Sequence, residues 1–360
     1  MTDDLQQLRQ RIDALDARIV ELLNERAQVV IEVGKLKQRT GGSIYAPDRE
    51  VALLRRLAEM NTGPLPQRTL EAVYRELMSG SFALEKPLRI AYVGPAGGFA
   101  HQAAVGKFGR SVDYVPLTDV ASVFSEVQRG HADYGMVPAD DAAGSLAETL
   151  DAFLAGAGGS VRLFAEVPTA VRHDLLAKES WADVKEVVAR PEVLAQCREW
   201  LSSTARDRKV RPVATVAEAA RTAGSVPGVA AIAPAISAEL HGLKVLFEHI
   251  ADDPDRVARF FVISKQAARK SNDDKTGVLF LTADKPGALA DVLDAFRKVG
   301  VNLSDLEKRP TGTRRQHYAF YLDADANVAD EPLTRALAEA EKHCLEMHIL
   351  GSYPRAAEVV

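Results

Sequence analysis

Leucine, isoleucine and valine recur between residues 5 and 36 in alternating steps of three and four. The series is Leu5, Leu8, Ile12, Leu15, Ile19, Leu22, Arg26, Val29, Val33, Leu36. That spacing lines one seam of an α-helix. At 1.5 Å per residue the seam runs about 46 Å, longer than a domain of this size is wide. Another copy of the chain or another domain must therefore cover it. The stretch "RTGGSIYAPDRE" ends the helix. Pro47 fits the first turn of a second helix, and Asp48 and Glu50 suit its positive end. That helix runs to about Met60, "NTGPLP" is a loop, and a third helix covers about Gln67 to Leu84.

At Pro87 the period changes. "PLRIAYV" reads as a strand, "GPAGG" as a turn and "FAHQAAVGKFG" as a helix. Strands at "VDYVPL" and "YGMVP" then alternate with helices at "ASVFSEVQRG" and "LAETLDAFLAG". A second set begins near Val161 with "RLFAEVPTAVRHDLLAK". It continues through "VKEVVAR", the helix "VLAQCREWLSS", and "GVAAIAP", and "ARFFVISK" closes it. Strands joined by crossover helices predict mostly parallel sheets in two similar α/β lobes, with a cleft that binds a small ligand at strand ends. "QAARKSNDDK", 266–275, reads as a polar linker. Beyond it the order is strand (277–282), helix (287–299), strands (303–309 and 317–323), helix (332–345) and strand (346–351), a ferredoxin-like βαββαβ unit. The fold class is multi-domain α plus α/β: a helical domain over 1–87, a two-lobed α/β domain over 88–265, and a small sandwich over 276–360.

Charge narrows the function classes. The formal net charge is −5, and residues 1–87 carry 13 basic and 13 acidic side chains. Neither part has the basic excess that nucleic acid binding usually needs. No apolar run approaches the roughly 18 residues of a membrane span, and "MTDDLQQL" lacks the apolar core of a signal peptide. Cys197 and Cys344 show no metal-ligand spacing and read as buried thiols. The expectation is a soluble cytoplasmic protein without metal or cofactor.

Arg26 interrupts the apolar seam. Lys37 returns eleven residues on to nearly the same azimuth, about 16 Å along the axis. Glu50 shares a face with Leu53, Leu54, Leu57 and Met60. Ser81 follows Leu70, Val73 and Leu77 at helical spacing, with Glu85 one turn later. Packed together, the three helices would enclose a polar pocket. Arg9 lies about 25 Å from Arg26 along the axis and reaches such a pocket only from an antiparallel partner chain. Two readings stand: a buried Arg26–Glu50 ion pair that fixes register, or an anion site, since unpaired buried arginines cost several kcal/mol.

The stretches "LRQRIDALDARIVELLNERAQVVIEVGKLK", "YAPDRE" and "MSGSFALEKP" resemble the helical chorismate mutase domain of bifunctional chorismate mutase–prephenate dehydratases, the P-proteins. The resemblance implies a site of Arg26, Lys37, Arg49, Glu50, Ser81 and Glu85, with Arg9 from the second chain of a homodimer or larger homo-oligomer. Its substrate would be chorismate. Ala46 falls where some members have a carboxylate.

"AYVGPAGGFAHQAAVGKFG", "VLAQCREWL" and "ARFFVIS" resemble the prephenate dehydratase domain, a two-lobed fold like that of periplasmic binding proteins. The family's Gly-Thr-Phe-Ser/Thr stretch reads Gly98, Phe99, Ala100 here. Its Glu-Asn-Ser turn reads Asp140, Asp141, Ala142. Its Asn-x-Thr-Arg-Phe block ends in Ala258, Arg259, Phe260, with alanine at the catalytic threonine. Hydroxyls are lost and Asp141 would repel a dianion, so dehydration is expected to be lost or altered. The glycine turn offers a second reading as a phosphate cradle, but lacks the G-x-G-x-x-G spacing.

"DKPGALADVLDAFRKVGVNLSDLEKRP" resembles an ACT domain, the amino-acid sensor of this family. The matching positions are Gly287, Ala288, Leu289, Asn302, Leu303, Glu307, Arg309 and Pro310, with Lys308 in place of a serine. The resemblance implies phenylalanine as effector, bound between subunits; a plain dimerisation module is the other reading. Two further readings of the whole chain remain, a fully bifunctional enzyme and a non-enzymatic ligand-responsive regulator.

Overall fold

A computed structural model describes residues 2–40, 44–140, 142–156, 159–310, 317–356 and 359. Three helices open the chain: α1 (Thr2–Thr40), α2 (Pro47–Met60) and α3 (Gln67–Glu85). Pro47 occupies the first turn of α2 with Asp48 and Glu50 beside it, where a proline's missing N–H costs nothing and carboxylates meet the dipole. The seam of α1 is bare. Leu5, Leu8, Ile12, Leu15, Ile19, Leu22, Val29 and Leu36 are each more than half exposed in the single chain.

The first α/β lobe contains β1 (Arg89–Val93), α4 (Phe99–Phe108), β2 (Asp113–Leu117), α5 (Val120–Arg129), β3 (Tyr134–Pro138) and α6 (Leu146–Ala155). β4 (Arg162–Ala170) leads out to the second lobe: β5 (Asp174–Ala177), β6 (Glu186–Ala189), α7 (Pro191–Gln196), α8 (Arg198–Thr204), β7 (Lys209–Pro212), α9 (Val216–Ser225), β8 (Val229–Ala233), α10 (Ile236–His241) and β9 (Lys244–Phe247). β10 (Val257–Ser264) returns to the first. The sheet orders are β2-β1-β3-β10-β4 and β7-β6-β8-β5-β9.

Each sheet has three parallel strands, but β10 runs antiparallel to β3 and β4, and β5 antiparallel to β8 and β9. The expected mostly parallel sheets are thus mixed, because β4 and β10 cross between the lobes in opposite directions. The run 162–178 divides between two sheets, and the expected helix over 193–203 breaks at Cys197. Strands β7 and β9 are short, largely exposed and without strong alternation, so no periodic signal marked them.

The last unit is β11 (Asp274–Ala283), α11 (Ala288–Val299), β12 (Leu303–Pro310), β13 (His317–Ala324), α12 (Glu331–Glu341) and β14 (Glu346–Pro354), in sheet order β12-β13-β11-β14. All its neighbouring strands are antiparallel. One face packs Val278, Phe280, Phe320 and Leu322 on the two helices. The other packs Leu279, Tyr321, Leu350 and Tyr353 on Phe261, Ile263 and Leu163 of the first lobe. Gly351 makes that approach possible: a Cβ there would stand 2.4 Å from the Leu163 carbonyl oxygen. The polar linker differs from expectation at its end. Asp274, Lys275 and Thr276 are buried strand residues, and Lys275 pairs with buried Glu166 at 2.9 Å.

Candidate functional site

On α1 the seam carries Arg26 to α3, where its Nη1 donates to Ser81 Oγ at 2.7 Å. Ser81 in turn donates to the Leu77 carbonyl. Three turns further along α1, Lys37 Nζ lies 2.8 Å from Glu85 Oε2 and donates to the Ile44 carbonyl at 3.0 Å. Arg26 does not pair with Glu50. The Glu50 carboxylate is buried and accepts from Tyr45 Oη at 2.8 Å, and Lys107 Nζ of α4 lies 2.8 Å from the same oxygen. Arg49 and Arg9 are exposed in the single chain. The geometry thus brings together Arg26 with Ser81 and Lys37 with Glu85, ties Glu50 to them through the Ile44–Tyr45 stretch, and leaves Arg9 and Arg49 apart. A cavity of about 370 Å³ opens beside Lys37 and Glu85, and Lys86, Asp133 and Lys265 also line it.

Tyr45 and Lys107 had no place in the sequence reading. Tyr45 is buried among Phe82, Phe108, Tyr134 and Phe164 with ring centroids 5.0–5.9 Å away. Burial first, then the Glu50 carboxylate, holds its phenol well above the ordinary tyrosine range. The usable signal was one aromatic residue set in a short polar loop just before a helix start.

In the middle domain, Gly98 caps α4 and Ala100 is buried on its first turn. The turn is closed from the second lobe: Ser237 Oγ donates to the Gly97 carbonyl at 3.0 Å, and Arg110 pairs with Glu239. The phosphate-cradle reading finds Ser237 Oγ where a group at Gly97 would stand. Asp140 accepts from the Ala143 and Arg259 amides at 2.7 and 2.8 Å. Ala142 is half-buried, and Asp141 lies outside the described residues. Ala258 and Phe260 face the helix α4 side and are fully buried. Arg259 faces the other way. Its guanidinium leaves the cleft and joins Asp323 and Asp305 of the C-terminal sheet. Strand alternation requires this split, since neighbours on β10 point to opposite faces.

Sequence reasoning also passed over His173 and Gln196. His173 Nε2 lies 2.7 Å from Gln196 Oε1, and Phe99 packs edge-on against the imidazole. The ring is buried, which lowers its pKa, and its Nδ1 has no partner among the described residues. Cys197 is buried next door and its thiol is pushed up to about 12.

In the C-terminal unit, Gly287 caps α11 with φ +83°, Ala288 is buried and Leu289 packs against the core. Arg309 lies toward that end of the sheet and reaches Asp151 Oδ2 of α6 at 2.6 Å, while Glu307 sits mid-sheet, paired with Tyr321. Asn302 binds Asp325 at 2.7 Å beside Leu303 at the opposite end. Seven residue steps along the strand take Leu303 to Pro310, about 23 Å. One chain therefore does not gather these residues into one pocket.

Among the described residues there is no cluster of three His, Cys, Asp or Glu able to hold a metal ion, and no helix is long and apolar enough to cross a membrane.

This arrangement, a helical unit with facing cationic and polar pairs fused to a two-lobed α/β domain, defines a class that sequence comparison matches in two blocks. Residues 8–86 match the chorismate mutase type II family and residues 90–268 the prephenate dehydratase family. A bifunctional chorismate mutase/prephenate dehydratase of Aquifex aeolicus is 35% identical over 98% of this chain and 99% of its own. The chain belongs to the bifunctional chorismate mutase/prephenate dehydratase family. Among solved structures, an Arthrobacter aurescens prephenate dehydratase in complex with L-Phe is 32% identical, with TM-score 0.69 over 76% of this chain and 93% of that one. A protein described as a novel type of quorum-quenching acylase shares the fold, with TM-score 0.67, 24% identity and coverage of 75% and 98%. That fold therefore does not by itself fix an activity.

Proposed function

We propose that the helical domain rearranges chorismate to prephenate in phenylalanine biosynthesis, that the dehydratase-like domain is impaired, and that the C-terminal unit is an ACT domain sensing phenylalanine. The observation that carries the first part is the facing of Arg26 with Ser81 and of Lys37 with Glu85 across α1 and α3. Half-buried cations placed there can exchange a protein partner for a dicarboxylate. The rearrangement is concerted, so the protein need only hold the reactive conformer and stabilise charge developing on the ether oxygen. Arg26, with Arg9 from a second chain, clamps the carboxylates by paired hydrogen bonds. Lys37 donates to one carboxylate and the ether oxygen; Glu85 donates to that oxygen when protonated. Glu50 accepts the ring hydroxyl, and Arg49 and Ser81 complete the lining. The bare seam of α1 supports the dimer that brings Arg9 in. In the C-terminal unit, the separation of Gly287 from Asn302 supports an effector site shared between copies, with phenylalanine as the effector.

The test is chorismate consumption by the purified chain. Arg26→Ala should lower kcat by about 10²–10³-fold, as removal of one positioned donor does. Wild-type-like turnover in that variant would refute the assignment. For the middle domain, prephenate should yield phenylpyruvate no faster than its spontaneous decay, because Ala258 offers no hydroxyl.

One observation favours the fully bifunctional reading instead. Thr169 pairs directly with Ala258 across β4 and β10, so its side chain shares that face of the sheet. Enzymatic phenylpyruvate formation that Thr169→Val abolishes would establish that reading.

A further inference from the structure

The buried carboxylate of Glu50 is held from outside its own domain. Lys107 Nζ on α4 lies 2.8 Å from Glu50 Oε2, and both side chains are nearly buried. Tyr45 Oη donates to the same oxygen. Among the described residues no other group bonds to that carboxylate, so Oε1 stays uncommitted. The lysine's placement is rigid. It stands 5.8 Å from the Tyr45 ring centroid, and the next residue, Phe108, is locked against Tyr45 and Tyr134. Asp48, two residues before Glu50, has a buried Oδ1 with no partner among the described residues. The start of α2 therefore places two carboxylates close together; the cation that reaches Glu50 is Lys107, while Arg49 between them is exposed.

We propose that Lys107, a residue of the dehydratase-like domain, is a positioning residue of the mutase site. It neutralises the buried Glu50 carboxylate and fixes one oxygen, which leaves the other aimed at substrate. This rests on the mutase reading above and deepens it: the mutase site is completed by the neighbouring α/β lobe. A buried carboxylate stripped of its cation is destabilised and moves or takes up a proton. The hydroxyl acceptor is then lost or misplaced, and a misplacement of about 1 Å costs about 10²-fold in rate.

The experiment uses the full chain and chorismate. Lys107→Met keeps the aliphatic stem and should lower kcat/KM by about 10²-fold, while Lys107→Arg restores most of it. In a Glu50→Gln background, Lys107→Met should add nothing further, because there is no charge left to hold. A purely structural lysine would cost the same in both backgrounds, and that result overturns the proposal, as does wild-type kcat/KM in Lys107→Met. Should Lys107→Met not fold, Lys107→Gln makes the same comparison. If wild-type protein itself consumes no chorismate beyond the spontaneous rate, the mutase reading fails. If wild-type turns over and Lys107→Met is unaffected, only the role of Lys107 fails.

Discussion

Arg259 Nη1 lies 2.8 Å from Asp323 Oδ2, joining the strand that carries Ala258 to the middle of the C-terminal sheet. Asp323 is fully buried and also accepts from Tyr321 and, at 2.7 Å, from Tyr353. Burial would push the guanidinium pKa down, but Asp323, Tyr321, Tyr353 and Asp305 outweigh it and hold the pKa far above the ordinary arginine range. Glu166, 3.7 Å from the same group and paired to Lys275, completes the cluster. Removing Asp323 strips Tyr321 and Tyr353 of their buried acceptor and leaves the buried guanidinium with only the part-exposed Asp305 and the more distant Glu166. Asp323→Ala should therefore cost about 3–5 kcal/mol of unfolding free energy. Denaturant melts of Asp323→Ala, Arg259→Ala and the double variant Arg259→Ala/Asp323→Ala check this. The double variant should lose less than the sum of the singles, and additive losses would dissolve the pairing argument.

The two lobes meet at Gly97. Its φ is +87°, and an added Cβ would stand 2.4 Å from Ser237 Oγ. Gly97→Ala should both strain the turn and wedge the lobes apart. Small-angle scattering should show a larger radius of gyration for the variant, with the Arg110–Glu239 pair broken. Unchanged scattering with unchanged stability would mean that the contact yields without resistance.

Much of this molecule was legible from periodicity. The heptad spacing from Leu5 to Leu36 gave one long helix, and the change of period at Pro87 began the α/β region. The βαββαβ order was readable because its two helices are strongly one-sided and strands β11 and β13 carry apolar runs. What escaped has a common physical cause: it depends on which face meets which across long sequence separations. The resemblance groups Arg259 with the cleft through the Asn-x-Thr-Arg-Phe block, yet one residue along a strand reverses direction. No pattern in the sequence sets Lys107 apart from the other charged residues. Only its packing on Tyr45 and Glu50 reveals it. The polar stretch ending at Lys275 read as linker because buried ion pairs have the same composition as solvated loops.

His101 and His173 are both buried, and burial lowers the pKa of each below the ordinary 6.5. Arg110 adds to the effect at His101; at His173, Gln196 and Asp174 oppose it while Arg256 adds to it. A lowered folded-state pKa means the unfolded chain binds protons more readily. The stability these residues contribute is thus complete above about pH 6.5 and is lost as pH falls through the folded-state values. Urea midpoints measured from pH 8 to pH 5 should fall on the acid side. His173→Gln, which cannot titrate, should flatten that slope. A slope identical to wild type would remove His173 from the account.

The exposed α1 seam and the remote Arg9 make one quantitative prediction together. If two chains pair their long helices, each mutase site takes Arg26 from one chain and Arg9 from the other. Arg9→Ala and Arg26→Ala homodimers would then both be nearly inactive. A mixed dimer would hold one site with both arginines intact and one with neither. Unfolding and refolding an equal mixture gives about half mixed dimers, each with half its sites working, so about a quarter of wild-type activity should return. Recovery should be absent when the two variants are mixed without unfolding, if the dimer does not exchange. A site built wholly within one chain predicts no recovery under either protocol. Introducing Leu15→Asp into both variants should abolish it as well, because a charge in the middle of the seam would prevent the helices from pairing.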